Sequence, residues 1–495
     1  MDAWDRQTND PDIENGLAGQ RLAMRHLSWL LPTLLMAALA LVRPNWPGQR
    51  ASELDAWGFV LRPWHEVWPL LGNLETTSVP YYLGLRVWAE IFGSSDFALR
   101  LPAILAMVAA TALLTRLGSD LLTPRVGFLA GILFAILPTT SRYAQEIGPQ
   151  ALSICFAVLA TFILVRLFDR PSLAGTFGYG VTVVLLGLVS APALALLAGH
   201  AVAVLTMRRR IFVSWLVAVL VSLVIAVGFL YLLRPPKLGF EWTSPVDLPE
   251  VTRLPQGLFG LALLAGIVVG LGLLSFSFRK PAVIFTTWAV GPVLVLYVCS
   301  QFVEVWDAEA LLFTLPAWTL LVGTALLRAP VVRGVFTALL IALLAVSTQV
   351  DVRARDGHGQ DDAQLAAVLA ENLATGDVIV YGPGPDDERT GRDLVARYLP
   401  ANLRPRDALM TRAPRTDGHL LAEECVDVAK CLGGAPRVWL LRVGPTEDVL
   451  AGLPAAKDGE LRTRYVEERT WRPTGLTLTL FTLAPAAPPA KPATR

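Results

Sequence analysis

Apolar and polar positions in this chain segregate into blocks. From Leu27 to Gln349, apolar runs follow one another with the charges gathered mostly between them, and after residue 350 the pattern becomes that of ordinary soluble sequence. A spanning helix needs roughly 20 predominantly apolar residues, with ~17 as a practical minimum. Runs approaching that length occupy 27–42, 98–117, 126–141, 149–168, 173–190, 191–207, 211–233, 257–276, 282–300, 310–327 and 331–349. The pattern predicts a polytopic α-helical membrane protein with about 11 transmembrane helices, followed by a small C-terminal α/β domain.

The connections carry the orientation. Basic residues in short loops mark the cytoplasmic side. Arg116 with Arg125, Arg166 with Arg170, Arg208 to Arg210, Arg279 with Lys280, and Arg328 with Arg333 fall at every second connection. The first run follows polar residues that include Arg6, Arg21 and Arg25, which reads as a retained signal anchor with a cytoplasmic N-terminus. The chain then divides into a cytoplasmic segment 1–26, a membrane domain 27–349 with a first exterior loop 44–97, an exterior domain 350–483, and a disordered Pro/Ala-rich tail 484–495.

Pro80 to Phe92 is apolar and aromatic but too short to span. With Trp57, Trp64 and Trp68 just before it, the loop predicts amphipathic helices lying in the outer interface, where indole rings are favoured. In the soluble part, Leu365, Val368, Leu369 and Leu373 share one face of a helix that Gly376 ends. A buried strand over 377–381, a helix near 390–399, a strand over 438–443, a helix near 446–453 and an alternating strand over 476–481 follow.

Composition agrees with this division. The chain is 54% hydrophobic and 17% charged, against the ~25% charged residues of soluble domains. A net charge of +1 gives no footprint for nucleic acid. Cys155 and Cys299 lie in apolar runs, whereas Cys425 and Cys431 stand six positions apart in the exterior domain and are expected to form a disulfide. A metal site using those thiols and His419 lacks a fourth ligand. Gly382-Pro-Gly384-Pro is a turn, because proline has no N–H to offer a phosphate. The five histidines are scattered, and HExxH, paired CxxC and nucleophile-elbow motifs are absent, which leaves hydrolase and zinc-enzyme chemistry without residues.

The remaining chemistry lies in exterior carboxylates. Asp55 sits in the tryptophan-rich first loop, and Glu146 ends the polar hexamer Ser141-Arg142-Tyr143-Ala144-Gln145-Glu146. A carboxylate at this surface can take the proton of an acceptor hydroxyl, while Arg142, Arg86 and Arg100 can stabilise a leaving phosphate. The grouped carboxylates leave room for a divalent cation without forming a dedicated cage.

These residues resemble a family. Glu53-Leu54-Asp55 in the first loop, Glu75 before Tyr81-Tyr82, Phe92-Gly93, Ala98-Leu99-Arg100-Leu101-Pro102, Arg142 to Glu146, and Leu312 to Pro316 follow the pattern of the polytopic glycosyltransferases of the C superfamily. The nearest branches are the protein O-mannosyltransferases, the lipid A aminoarabinose transferases and the mannosyltransferase-like proteins of high-GC Gram-positive bacteria. The resemblance implies transfer, with inversion, of a sugar such as mannose from a polyprenyl-phosphate-linked donor to an extracytoplasmic glycan, lipid or protein, at a bacterial plasma membrane. It gives Asp55 the role of base, lets Glu146 and Arg142 line the donor or acceptor site and makes Glu75 a secondary candidate; with the residues' own chemistry this leaves Asp55 and Glu146 as the expected catalytic pair and Glu75, Tyr81, Tyr82, Arg86, Arg100, Arg142, Tyr143 and Gln145 as expected substrate contacts. The chain departs from the pattern at Ala56, where a second acid is usual, at Ser78 and Arg86, where histidine is usual, and at Gly148, Gln150 and Glu309. These departures define an alternative, a non-catalytic relative that binds lipid-linked sugar or a partner enzyme.

Overall fold

A computed structural model describes residues 28–73, 79–233, 246–303, 305–382 and 385–485. The chain forms two compact units: Met1–Pro44 with Glu75–Val352, and Asn45–Leu74 with Arg353–Arg495. The division does not follow the apolar blocks alone, because the first half of the first loop folds with the C-terminal residues.

The first unit is helical. Each of the eleven apolar runs lies on helix, as the absence of water for backbone groups in a bilayer requires. Among the described residues, five helices are long and apolar enough to cross a membrane: Asp96–Leu121, Gln150–Asp169, Arg209–Leu233, Glu309–Arg328 and Val331–Val352. Shorter apolar helices are Leu30–Leu41, Pro124–Ile136, Leu173–Val189, Ala191–Met207 and Val283–Cys299. Local sequence sets several of the boundaries. Ser95, Thr123 and Ser172 each accept a hydrogen bond from the backbone N–H three residues on, supplying N-terminal caps.

Small residues let these helices approach one another. A Cβ on Gly127 would overlap the Thr115 carbonyl and Ser119, and one on Gly118 would overlap Leu320 and Gly127. Buried polar groups in the apolar helices pair with each other: Trp215 donates to the Tyr179 hydroxyl at 2.9 Å, which bonds His200 Nδ1 at 2.9 Å, while His200 Nε2 meets Thr161 at 3.0 Å.

The apolar run 257–276 is broken. Helix Leu248–Phe259 ends at Gly260, whose φ of +84° favours glycine, and the chain turns by 94° into Ala262–Leu274. Leu254 and Leu258 are buried on one face of the first helix, while Glu250 and Arg253 stand on an exposed one. Its helical spacing was present in the sequence but obscured by Pro249 and Pro255.

The second unit is α/β. Its strands are β1 (Val378–Tyr381), β2 (Arg406–Asp407), β3 (Met410–Arg412), β4 (Glu423–Glu424), β5 (Arg437–Val443), β6 (Tyr465–Trp471) and β7 (Leu476–Leu483). The main sheet has the order β2-β1-β5-β7-β6, parallel across β2, β1 and β5 and antiparallel across β5, β7 and β6. The two-residue period of strands sends Val378, Val380, Val438 and Leu440 into one core, and Ile379, Tyr381, Trp439 and Leu441 into the other. Helices Asp362–Asn372 and Pro385–Tyr398 contribute to the second core, and so does Leu54 of the first loop.

Residues 446–453, expected as helix, are bends and turns; the helix is Ala455–Arg464, starting after Pro454. Arg442 holds the intervening segment by donating to the carbonyls of Val449 and Ala451. Strand β6 escaped the sequence pattern because an exposed edge carrying Glu467, Glu468 and Arg469 has no apolar alternation to read.

Candidate functional site

In the first unit, a short helix Pro138–Tyr143 leads through a buried turn to helix Gln150–Asp169. This brings Arg142 and Glu146 together one turn apart, with Nε to Oε1 at 2.6 Å. The Glu146 side chain is 6% exposed and that of Arg142 is 29% exposed, so the guanidinium is the accessible member of the pair. Tyr143 is buried, its ring 5.6 Å from the Arg142 Cζ.

Arg142 lines a cavity of about 1020 Å³. Glu250, Arg253 and Gln256 from helix Leu248–Phe259 face the same space, as do Trp306 and Asp307, with Leu254 and Val303 providing apolar wall. Two guanidiniums, carboxylates, an indole and an apolar surface suit a ligand with an anionic head and a greasy tail. Beside this segment, Gln150 Nε2 donates to Glu309 Oε2 at 2.9 Å. Glu250, Arg253 and Asp307 were not singled out by sequence; the first two lie on the helix that the 94° bend follows, and Asp307 comes from a separate irregular segment.

Other expected site residues have partners within the protein. Gln145 is buried and donates to the Ala40 and Val42 carbonyls at 3.0 and 2.9 Å, satisfying the C-terminal end of helix Leu30–Leu41. Arg100 is buried and donates to the Pro44 carbonyl. Arg86 pairs with Glu90 one turn away at 3.2 Å. Tyr81 is buried and its ring lies 6.0 Å from that of Tyr82. Glu75 and Ser78 lie outside the described residues.

Asp55 sits in the second unit, on helix Ala51–Val60. Its Oδ1 meets Arg389 Nε at 2.6 Å and Arg415 Nη2 at 2.9 Å, and Arg415 is also bidentate to Asp393 at 2.8 and 2.6 Å. Trp57 is buried under Arg397, whose Cζ lies 5.1 Å from the ring. Glu53 is buried, accepts from the Arg50 N–H at 3.2 Å and lies 3.8 Å from His358 Nδ1. Ala56 is fully buried, and a second carboxylate there would lose its water. The partners of Asp55 are more than 330 residues away, so no local motif announced them.

Cys425 and Cys431 are joined in a disulfide. Among the described residues, no group of three or more His, Cys, Asp or Glu side chains is arranged to hold a metal ion.

A unit of several long apolar helices and an α/β unit make up the chain. The chain is a multi-pass membrane protein of that architecture. Residues 79–232 match the family described as dolichyl-phosphate-mannose-protein mannosyltransferase. In fold the chain is similar to ArnT from Cupriavidus metallidurans bound to undecaprenyl phosphate, with TM-score 0.58 and 15% identity over 92% of this chain and 98% of that one. The apo state of the same protein matches with TM-score 0.56 and 15% identity over 94% and 98%. A weaker likeness, TM-score 0.48 and 14% identity over 89% and 71%, is to the Archaeoglobus fulgidus oligosaccharyltransferase in complex with Zn and sulfate. No curated protein sequence matches the chain.

Proposed function

We propose that the chain transfers a sugar, with mannose the first to test, from a polyprenyl-phosphate donor to an extracytoplasmic glycan, lipid or protein, with inversion. The observation that carries this reading is the cavity bearing Arg142 and Arg253 beside apolar wall. In the reaction, the acceptor hydroxyl oxygen bonds to the anomeric carbon, the bond from that carbon to the phosphate oxygen breaks, and the electron pair leaves on the polyprenyl phosphate. The hydroxyl proton passes to a carboxylate, a role that the family resemblance gives to Asp55. Within the first unit, Arg142 and Arg253 can bind an anionic headgroup in the cavity they line.

The alternation of Arg and Lys between apolar runs supports eleven spans, a cytoplasmic N-terminus and an exterior C-terminal unit in a bacterial plasma membrane. The test is turnover of polyprenyl-phosphate mannose by purified protein in bilayers, with undecaprenyl phosphate as a binding probe. Asp55→Asn is expected to bind the probe normally and to lose on the order of 100-fold or more in turnover. Arg253→Ala is expected to weaken probe binding about tenfold or more, the scale of one charge-assisted hydrogen bond. Full turnover by Asp55→Asn would refute the mechanism.

The double arginine contact of Asp55 favours a second reading, a non-catalytic relative. That reading expects wild-type protein to bind lipid-linked sugar and leave it unconsumed over long incubation.

A further inference from the structure

Arg415 has three properties that seldom coincide in one arginine. It is 2% exposed, its backbone φ is +57°, and its guanidinium lies against helix Ala51–Val60 where a Cβ on Gly58 would overlap it. Non-glycine residues adopt that backbone region at a cost and persist there when the surroundings hold them. Here the holder is Asp393, whose two oxygens take two parallel N–H bonds at 2.8 and 2.6 Å. The same guanidinium donates to Asp55 Oδ1 at 2.9 Å.

Arg389 and Asp393 stand one turn apart on helix Pro385–Tyr398, so that helix contributes both the second cation on Asp55 and the anchor of Arg415. The two arginines differ in freedom: the Arg389 side chain is 19% exposed and the Arg415 side chain 3%. Two carboxylates and two guanidiniums balance in charge, and Gly58 is the glycine that leaves space for the rigid member.

The geometry points to Arg415 as the positioning residue for Asp55: anchored by Asp393 and seated on Gly58, it fixes the orientation in which Asp55 receives the acceptor proton. This rests on the assignment of Asp55 as base. Arg415 touches neither donor nor acceptor; it acts through Asp55, so its loss affects turnover and spares donor binding.

Gly58→Ala provides the test with least damage, since alanine favours the helix while its methyl displaces the guanidinium. Turnover of polyprenyl-phosphate mannose by the full chain in bilayers is measured beside thermal unfolding. Gly58→Ala is expected to remain folded with a lowered unfolding temperature, to lower kcat at least tenfold, and to leave the donor KM within twofold. The double variant Arg415→Ala with Asp393→Ala, which leaves neither of the two buried charges without its partner, is expected to show the same split and to regain kcat when guanidinium ion is added. If Gly58→Ala misfolds, the double variant and its rescue decide. Asp55→Asn separates the two claims. An active Asp55→Asn overturns the base assignment; an inactive one, with wild-type kcat in Gly58→Ala or in the double variant, overturns the role of Arg415 alone.

Discussion

Asp362 makes the stability of the second unit depend on pH in a direction opposite to that of most carboxylates. It is fully buried at the start of helix Asp362–Asn372, and its Oδ2 accepts the Gln49 N–H at 2.7 Å, tying the first loop to the C-terminal residues of the same unit. Burial pushes the carboxyl up to about 7, against smaller lowering contributions from the Gln49 and Tyr398 hydrogen bonds and raising ones from Glu53 and Asp361. Because the folded value lies above the unfolded one, the folded state holds the proton more tightly. No cost exists below about pH 4; it accumulates as pH rises and is complete above about 7. At 1.36 kcal/mol per pH unit, the full cost is about 4 kcal/mol, and the part falling between pH 5 and pH 8 is about 3 kcal/mol.

Asp362→Asn keeps an oxygen for Gln49 and removes the titration. The difference in unfolding temperature between this variant and wild type is therefore expected to widen in favour of the variant by about 6–12 °C from pH 5 to pH 8, at the ~2–4 °C per kcal/mol typical of a unit this size. Tryptophan fluorescence of the full chain in detergent reads it, since Trp439 is buried in the core of the same unit. A difference that is the same at both pH values would refute the reasoning.

Other outcomes follow from packing and covalent structure. Gly127→Leu places a side chain into the Thr115 carbonyl and Ser119 and is expected to lower detergent stability by about 3 kcal/mol or more, while Gly178→Ala, with open space at its Cβ, is expected to be neutral; thermal inactivation in detergent compares them. Replacing Cys425 and Cys431 together by serine removes the closure of a small loop and is expected to cost the second unit about 2 kcal/mol, measured as a lower unfolding temperature with no change in probe binding.

Much of the fold was legible because a bilayer leaves few choices. A predominantly apolar run near twenty residues long must satisfy its backbone internally, so 98–117, 149–168 and 331–349 predict helices from composition alone. Strands β1 and β5 were legible for a similar reason, since a short run that is apolar on both faces has to lie inside a sheet, and β7 from the two-residue alternation of Leu476, Leu478 and Leu480. Arg142 and Glu146 stood out as members of a polar hexamer between apolar runs, and the turn after helix Pro138–Tyr143 pairs them.

What the chain alone left undecided concerns residues whose meaning comes from distant partners. Leu54 and Trp57 were apolar positions in a loop, and whether lipid or protein covers them depends on residues some three hundred positions later. The charge of Asp55 was plain from its sequence, but its company was decided by the approach of helix Pro385–Tyr398 and by the space above Gly58. Periodicity determines which face of an element is apolar. Only packing decides what meets that face, because the energies of buried ion pairs depend on ångström distances between groups that the chain order does not relate.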